Sequence, residues 1–198
     1  MNAGDGDGAS ADAAAEQRER LVAVVREHMA SENELRFDDT LATFAHPRYE
    51  LMGTGQVYDG ADEVTGYYAA SRAVFPDQRN VIRAIHGAEA LVVVEFDLLG
   101  THTGSLAGEE PTGRSFRCPM VALFEFEGEK IVCERVYFDA GTIYRQLEGG
   151  APPTTAGTPA DAARTSMSTF RFQSDRLPCP STAANMAGCT GDHRASKT

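Results

Sequence analysis

The chain has 198 residues, of which 42% are hydrophobic, and a formal net charge of −11. That length suits one domain with extensions, and the apolar share is enough to build a core. The acidic balance and the lack of any Lys/Arg run count against a nucleic-acid or anionic-membrane partner, and no apolar stretch approaches the length of a transmembrane helix.

The N-terminus, "MNAGDGDGASADAAAEQ", lacks the basic and apolar regions of a secretory signal. The four cysteines, Cys118, Cys133, Cys179 and Cys189, show no CxxC spacing, so neither a metal site nor a redox dithiol is expected. Reduced thiols and a cytoplasmic location follow as the default expectation. Residues 1–15 read as a disordered lead, poor in large apolar side chains. Residues 149–198, rich in Pro, Gly, Thr, Ala and Ser, read as a low-complexity and mostly disordered tail, which leaves 16–148 as the folded domain.

Within that domain, "AEQRERLVAVVREHMASEN" places Leu21, Val25 and Met29 on one stripe of an amphipathic helix. "FDDTLATFAHP" predicts a short second helix with Asp38 or Asp39 as N-cap and Pro47 closing it. "RYELMG" reads as a short strand. "DGADEVTGYYAASRAVFPD" gathers Val64, Tyr67, Tyr68, Ser71 and Phe75 near one face of a third helix that Pro76 ends. Four strands are predicted next, over 79–86, 90–103, 115–126 and 130–139, and a helical turn, "AGTIYRQL", closes the pattern. Helices followed by an antiparallel meander make an α+β fold. Three short helices cover only one face of such a sheet, which leaves a cone with an apolar interior.

His102, in "GTHTG", is the leading candidate for chemistry, because an imidazole accepts a proton near neutral pH and strand alternation puts it on the face of Val92, Val94, Phe96 and Leu98. The plainer role is a structural histidine bonded to a neighbouring loop. Asp139 is either a proton-shuttling carboxylate or the N-cap of "AGTIYRQL". Glu134 and Arg135 point to opposite faces of the last strand, and a bulge near "EFEGEK" would exchange them; an inward Arg135 would stabilise an enolate or a carboxylate. His46 and Tyr49 are candidate lining residues, as are Met120 and one of the pair Tyr67 and Tyr68, of which Tyr68 is taken. Glu95 and Asp97 mark a wet outer surface or a dimer edge, and Cys118 and Cys133 fill space as small apolar side chains.

Four segments in this order, "FAHPRYEL", "YDGADEVTGYY…FPD", "GTHTGSLAGEEPTGRSF" and "FEGEKIVCERVYFDAGTIYRQL", resemble the SnoaL-like polyketide (ester) cyclases of the nuclear-transport-factor-2-like superfamily. The resemblance covers roughly residues 16–148. It implies a cone-shaped curved antiparallel sheet on three N-terminal helices, a deep apolar pocket, a homodimer formed through the sheet, and no metal or organic cofactor. It also implies a cavity histidine and a final-strand aspartate, and alignment through "GEKI" puts Ala122 and Val136 at those places. An epoxide hydrolase of this superfamily would need an Asp–Arg–Asp set, of which only Arg135 with Asp139 is suggestive. The functional expectation is therefore a cofactor-free cyclase, isomerase or dehydratase acting on a hydrophobic, oxygenated small molecule, with His102 as base and Asp139 as its orienter or acid. The alternative is a non-catalytic ligand-binding or docking module on the same fold.

Overall fold

The structure, a computed structural model, describes residues 6–151, and the expected tail from 152 onward lies outside them. The described elements are α1 (Gly6–Asn33), α2 (Phe37–Ala42), β1 (Arg48–Leu51), β2 (Gln56–Asp59), α3 (Ala61–Val74), β3 (Arg79–Gly87), β4 (Leu91–Thr101), β5 (Ser115–Glu127), β6 (Lys130–Phe138) and α4 (Ala140–Leu147). One six-stranded sheet has the order β2-β1-β6-β5-β4-β3. All pairs are antiparallel except β1 with β6, which run parallel and bring Tyr49 opposite Glu134.

Three expectations change. The segment expected as a disordered lead is helical from Gly6, because its alanines carry the best intrinsic helix propensity and extend α1 backward. Arg36, not Asp38 or Asp39, sits at the N-cap of α2; the two aspartates occupy the first turn, where their charge favours the helix dipole. A short strand after "RYELMG", β2, pairs back on β1 through the turn around Gly55, whose φ of 72° suits glycine.

The inner face of the sheet is apolar. Val92, Val94 and Phe96 on β4, Phe116, Cys118, Met120, Ala122 and Phe124 on β5, and Val136 on β6 are all buried. Leu21, Val25 and Met29 of α1 and Val64 and Tyr68 of α3 close over them. The strands carry their other residues outward, and β6 is shifted by a bulge opposite Glu125/Phe126. That shift lets both Ile131 and Glu134, three positions apart, be buried.

The β4–β5 loop is pinned to the end of α3, where the N–H groups of Thr103 and Gly104 both donate to Val74 O. A Cβ on Gly104 would sit 1.9 Å from Ala73 O, so only glycine permits this approach. Gly104→Ala is expected to cost about 1–3 kcal/mol through forced backbone displacement, read as a lowered midpoint in thermal or urea unfolding.

Candidate functional site

The polar groups of the interior converge on His28, a fully buried residue of α1. It continues the core stripe of Leu21 and Val25 at helical spacing, so the helix face that makes the core also delivers the imidazole. Phe44 and Phe124 meet its ring edge-on at centroid distances of 5.3 and 5.4 Å. Nδ1 lies 2.9 Å from Thr43 Oγ1, which already donates its own proton to Thr40 O. Nδ1 therefore carries a hydrogen and donates to Thr43, which leaves the Nε2 lone pair as the acceptor of the neutral ring.

Nε2 faces two partners. The Tyr49 hydroxyl is 3.0 Å away, and Glu134 Oε2 is 3.1 Å away, close enough for an ion pair but without hydrogen-bond alignment. Tyr68 donates to the Tyr49 oxygen at 2.9 Å. In the neutral ring Nε2 accepts from Tyr49; once protonated, it becomes the ion-pair partner of Glu134. All four side chains are nearly or fully buried. Burial, reinforced by the negative charge of Glu134, pushes the Tyr49 phenol well above its usual range, and burial with the charge of Glu32 does the same for Tyr68. Both remain protonated donors at physiological pH.

A second buried group adjoins this one. Glu32, one further turn along α1, accepts from Asn80 Nδ2 at 2.8 Å and meets Arg72 Nη2 at 3.4 Å. Arg72 stacks over Phe37 with 5.6 Å to the ring centroid, and its Nε has no partner among the described residues. Burial and the charge of Glu134 raise the Glu32 carboxyl above its ordinary 4.5, against the opposing pull of Arg72.

The residues singled out from the sequence divide. Tyr49 and Tyr68 stand in the central cluster. Met120 is buried between its strand partners Phe96 and Phe138 as part of the apolar wall, and Ala122 and Val136 are buried and paired directly with one another. Arg135 does not face inward: it lies on the outer side of the sheet, bonded to Glu50 at 2.6 Å and Glu125 at 2.8 Å, and its neighbour Glu134 takes the inner position. His46 is two-thirds exposed and bonds Asp59 at 2.6 Å, away from Tyr49. Asp139 is the N-cap of α4, accepting from Gly141 N, Thr142 Oγ1 and Arg145 Nη2, and its side chain is 63% exposed. Those three bonds, led by that from Arg145, hold its carboxyl below the usual range, the opposite of what a proton shuttle needs.

His102 is buried, at the β4–β5 loop, with Phe75 5.9 Å from its ring. Its bonds go to Thr112, so the structure does not bring it together with Asp139 as a dyad. The thiols of Cys118 and Cys133 are pushed up by burial to about 12 and about 11, which fits inert filling of space. Among the described residues, no three His, Cys, Asp or Glu side chains are grouped to ligate a metal ion, and no helix is long and apolar enough to cross a membrane.

The SnoaL-like polyketide cyclase family matches residues 21–147. The chain belongs to that family. No curated protein matches it. Solved structures with the same fold include IdmH from Streptomyces antibioticus, named as a polyketide cyclase, at 23% identity over 65% of this chain and 98% of that one, with a TM-score of 0.58. AclR from Streptomyces galilaeus, named as a hydroxylase, is similar at 17% identity over 66% and 86% of the two chains, with a TM-score of 0.59. An NTF2-like protein from Burkholderia pseudomallei is similar at 20% identity over 65% and 97%, with a TM-score of 0.56. This SnoaL-like chain thus has the cone-forming α+β architecture, and the cluster around His28 lies in its interior.

Sequence reasoning missed His28, Glu32 and Arg72. The signal was present: His28 and Glu32 occupy core-stripe positions of α1, and Arg72 follows Tyr68 by one helical turn. A charged or titratable residue on an otherwise apolar stripe is the mark of an interior polar site. Because the folded chain binds the Glu32 proton more tightly than the unfolded chain, this group's contribution to stability is full below pH 4.5 and falls as pH rises through the raised value. Glu32→Gln is expected to gain stability relative to wild type progressively as pH rises above 4.5, measured as urea midpoints across a pH series.

Proposed function

We propose that this SnoaL-like chain is a cofactor-free enzyme that abstracts a proton beside a carbonyl of a hydrophobic, oxygenated, polyketide-like molecule held inside the cone. The observation that carries this reading is the Glu134 carboxylate, buried on the inner face with an oxygen that makes no hydrogen bond among the described residues. An unsatisfied buried lone pair is costly in a purely structural role and useful in a base.

In this mechanism Glu134 Oε2 takes the proton as the C–H bond breaks and the electron pair moves onto the substrate oxygen. The Tyr49 hydroxyl, kept protonated by burial and accepting from Tyr68, turns from His28 Nε2 to donate to that oxygen. His28 Nε2, 3.1 Å from Glu134 Oε2, receives the proton and returns it, so the enolate either reprotonates elsewhere or closes a ring onto a second carbonyl. Arg72 and Glu32 set the local field. The naming of IdmH as a polyketide cyclase supports the substrate class.

The expected test is hydrogen–deuterium exchange at the carbon beside the carbonyl of 2-tetralone in D2O. Glu134→Gln is expected to slow protein-catalysed exchange by about 10²–10⁴-fold, and Tyr49→Phe by a smaller factor. Wild-type exchange rates in both variants would remove the mechanism. The apolar pair Ala122 and Val136, at the places where the family resemblance implies a histidine and an aspartate, supports a second reading as a non-catalytic carrier. Tight binding of 2-tetralone without any exchange would select that reading.

The chain is also proposed to form a homodimer through the outer face of the sheet. Val81 and Tyr137 are nearly half exposed there, around Asp97, whose Oδ2 is shared by Arg83 and Arg117 and whose buried Oδ1 has no partner. Tyr137→Glu is expected to convert a dimer to a monomer in sedimentation equilibrium; an unchanged mass would reject the interface.

A further inference from the structure

His102 is placed to donate, not to accept. The backbone N–H of Thr112 points at Nδ1 at 3.3 Å, and that hydrogen belongs permanently to nitrogen. Nδ1 must therefore offer its lone pair, and the Thr112 hydroxyl, 3.2 Å away, can donate to the same atom while its own oxygen accepts from Arg114 N. The ring proton is left on Nε2. That Nε2–H is buried, with the whole residue 2% exposed, and has no acceptor among the described residues. A fixed, dry, unpaired donor is rare in a folded protein and marks a missing partner.

Its position says where the partner comes from. The ladder continues past β4 through the His102 N–H to Arg114 O and the Gly113 N–H to His102 O, so the side chain keeps the inward direction of Leu98 and Gly100. Phe75, just past α3, lies against the ring, and Phe116 packs on Phe75. This station is remote from Glu134, which is level with Phe124 and Val92. From Val92 to His102 is ten residues, roughly 30 Å along the extended strand. Between the two stations the inner face carries only apolar side chains such as Val94, Phe96 and Met120.

We infer that His102 Nε2–H is a recognition donor for a carbonyl or hydroxyl oxygen on the part of an apolar ligand distant from the reacting carbon. The inference rests on the interior site proposed above and deepens it: the ligand is elongated, apolar along its length, and oxygenated at the end that reaches His102. His102 is then a binding residue and takes no proton from the substrate.

The test compares 2-acetylanthracene with 2-isopropenylanthracene, a hydrocarbon of nearly the same size and planar shape, so that only the first carries an acceptor oxygen. Titration of the full chain by fluorescence is expected to give about tenfold tighter binding of the ketone, the worth of one buried neutral hydrogen bond. His102→Asn keeps an acceptor where Nδ1 stood and removes the Nε2 donor; it is expected to lower ketone affinity to that of the hydrocarbon and leave the hydrocarbon unchanged. In wild-type protein, the Nε2–H resonance of His102 in 15N-edited NMR is expected to move downfield with the ketone alone, a readout that needs no variant to fold. Equal binding of the two probes, or a ketone preference with the His102 resonance unmoved, overturns the inference while the interior site stands. Binding of neither probe overturns the interior site and this inference together.

Discussion

The contact between His28 Nε2 and Glu134 Oε2 inside the cone is the constraint on which the remaining geometry depends. A carboxylate and an imidazole taken out of water lose several kcal/mol of solvation each in the charged state, and the loss is offset only by partners held in place. Those partners come from separate parts of the chain: Thr43 after α2 fixes the imidazole tautomer, Tyr49 comes from β1, and Tyr68 comes from α3. The parallel pairing of β1 with β6 sets Tyr49 opposite Glu134, so a register slip of one residue would turn one of them outward. Helix packing, strand register and site chemistry are thus one problem with one solution.

The two faces of the sheet treat charge in opposite ways. On the outer side, Asp97 is held by Arg83 and Arg117, whose side chains still reach water, and the bonds from those arginines overcome the cost of burial and keep the carboxyl below its ordinary range. That pattern is one of settled ionisation. On the inner side, Glu134 has neutral phenols and an imidazole, and Glu32 has one arginine at long range with an amide. Carboxylates surrounded by weak or switchable donors are the ones that exchange protons, whereas those clamped by guanidinium groups are not. The difference lies in the number and type of donors, since both faces hide their acids from solvent.

Much of the architecture was legible in the sequence because it is written in periodicity. The stripe of Leu21, Val25 and Met29, the proline after α3 and the alternating strands each reflect a local geometric rule, and the structure follows them within a residue or two. Asp139 as a cap was equally local, since its bonds go to residues 141, 142 and 145. The site was less legible because its bonds are not local. His28 meets residues 43, 49 and 134, and nothing in the neighbourhood of any one of them announces the others. The choice between Glu134 and Arg135 hung on a bulge opposite Glu125/Phe126, a one-residue irregularity that turn composition does not fix. His102 drew attention through its glycine-rich surroundings, but its role as a donor depends on the backbone of Thr112, which becomes its neighbour only when the loop folds back.

The pair Ala122 and Val136 looked, from the sequence, like the loss of a mechanism. In the sheet they are direct partners on the inner face, and Glu134 stands two residues before Val136 with its side chain on the same side. One pleat repeat, roughly 7 Å, therefore separates Val136 from an inward carboxylate. The buried imidazole comes from α1 and meets Phe124, two residues beyond Ala122 on β5, edge-on at 5.4 Å. At that level the imidazole and the carboxylate stand 3.1 Å apart, while the stretch around Ala122 and Val136 is apolar wall. A cone closed by helices offers many equivalent inward positions for polar groups, and only the spacing between those groups is held by chemistry.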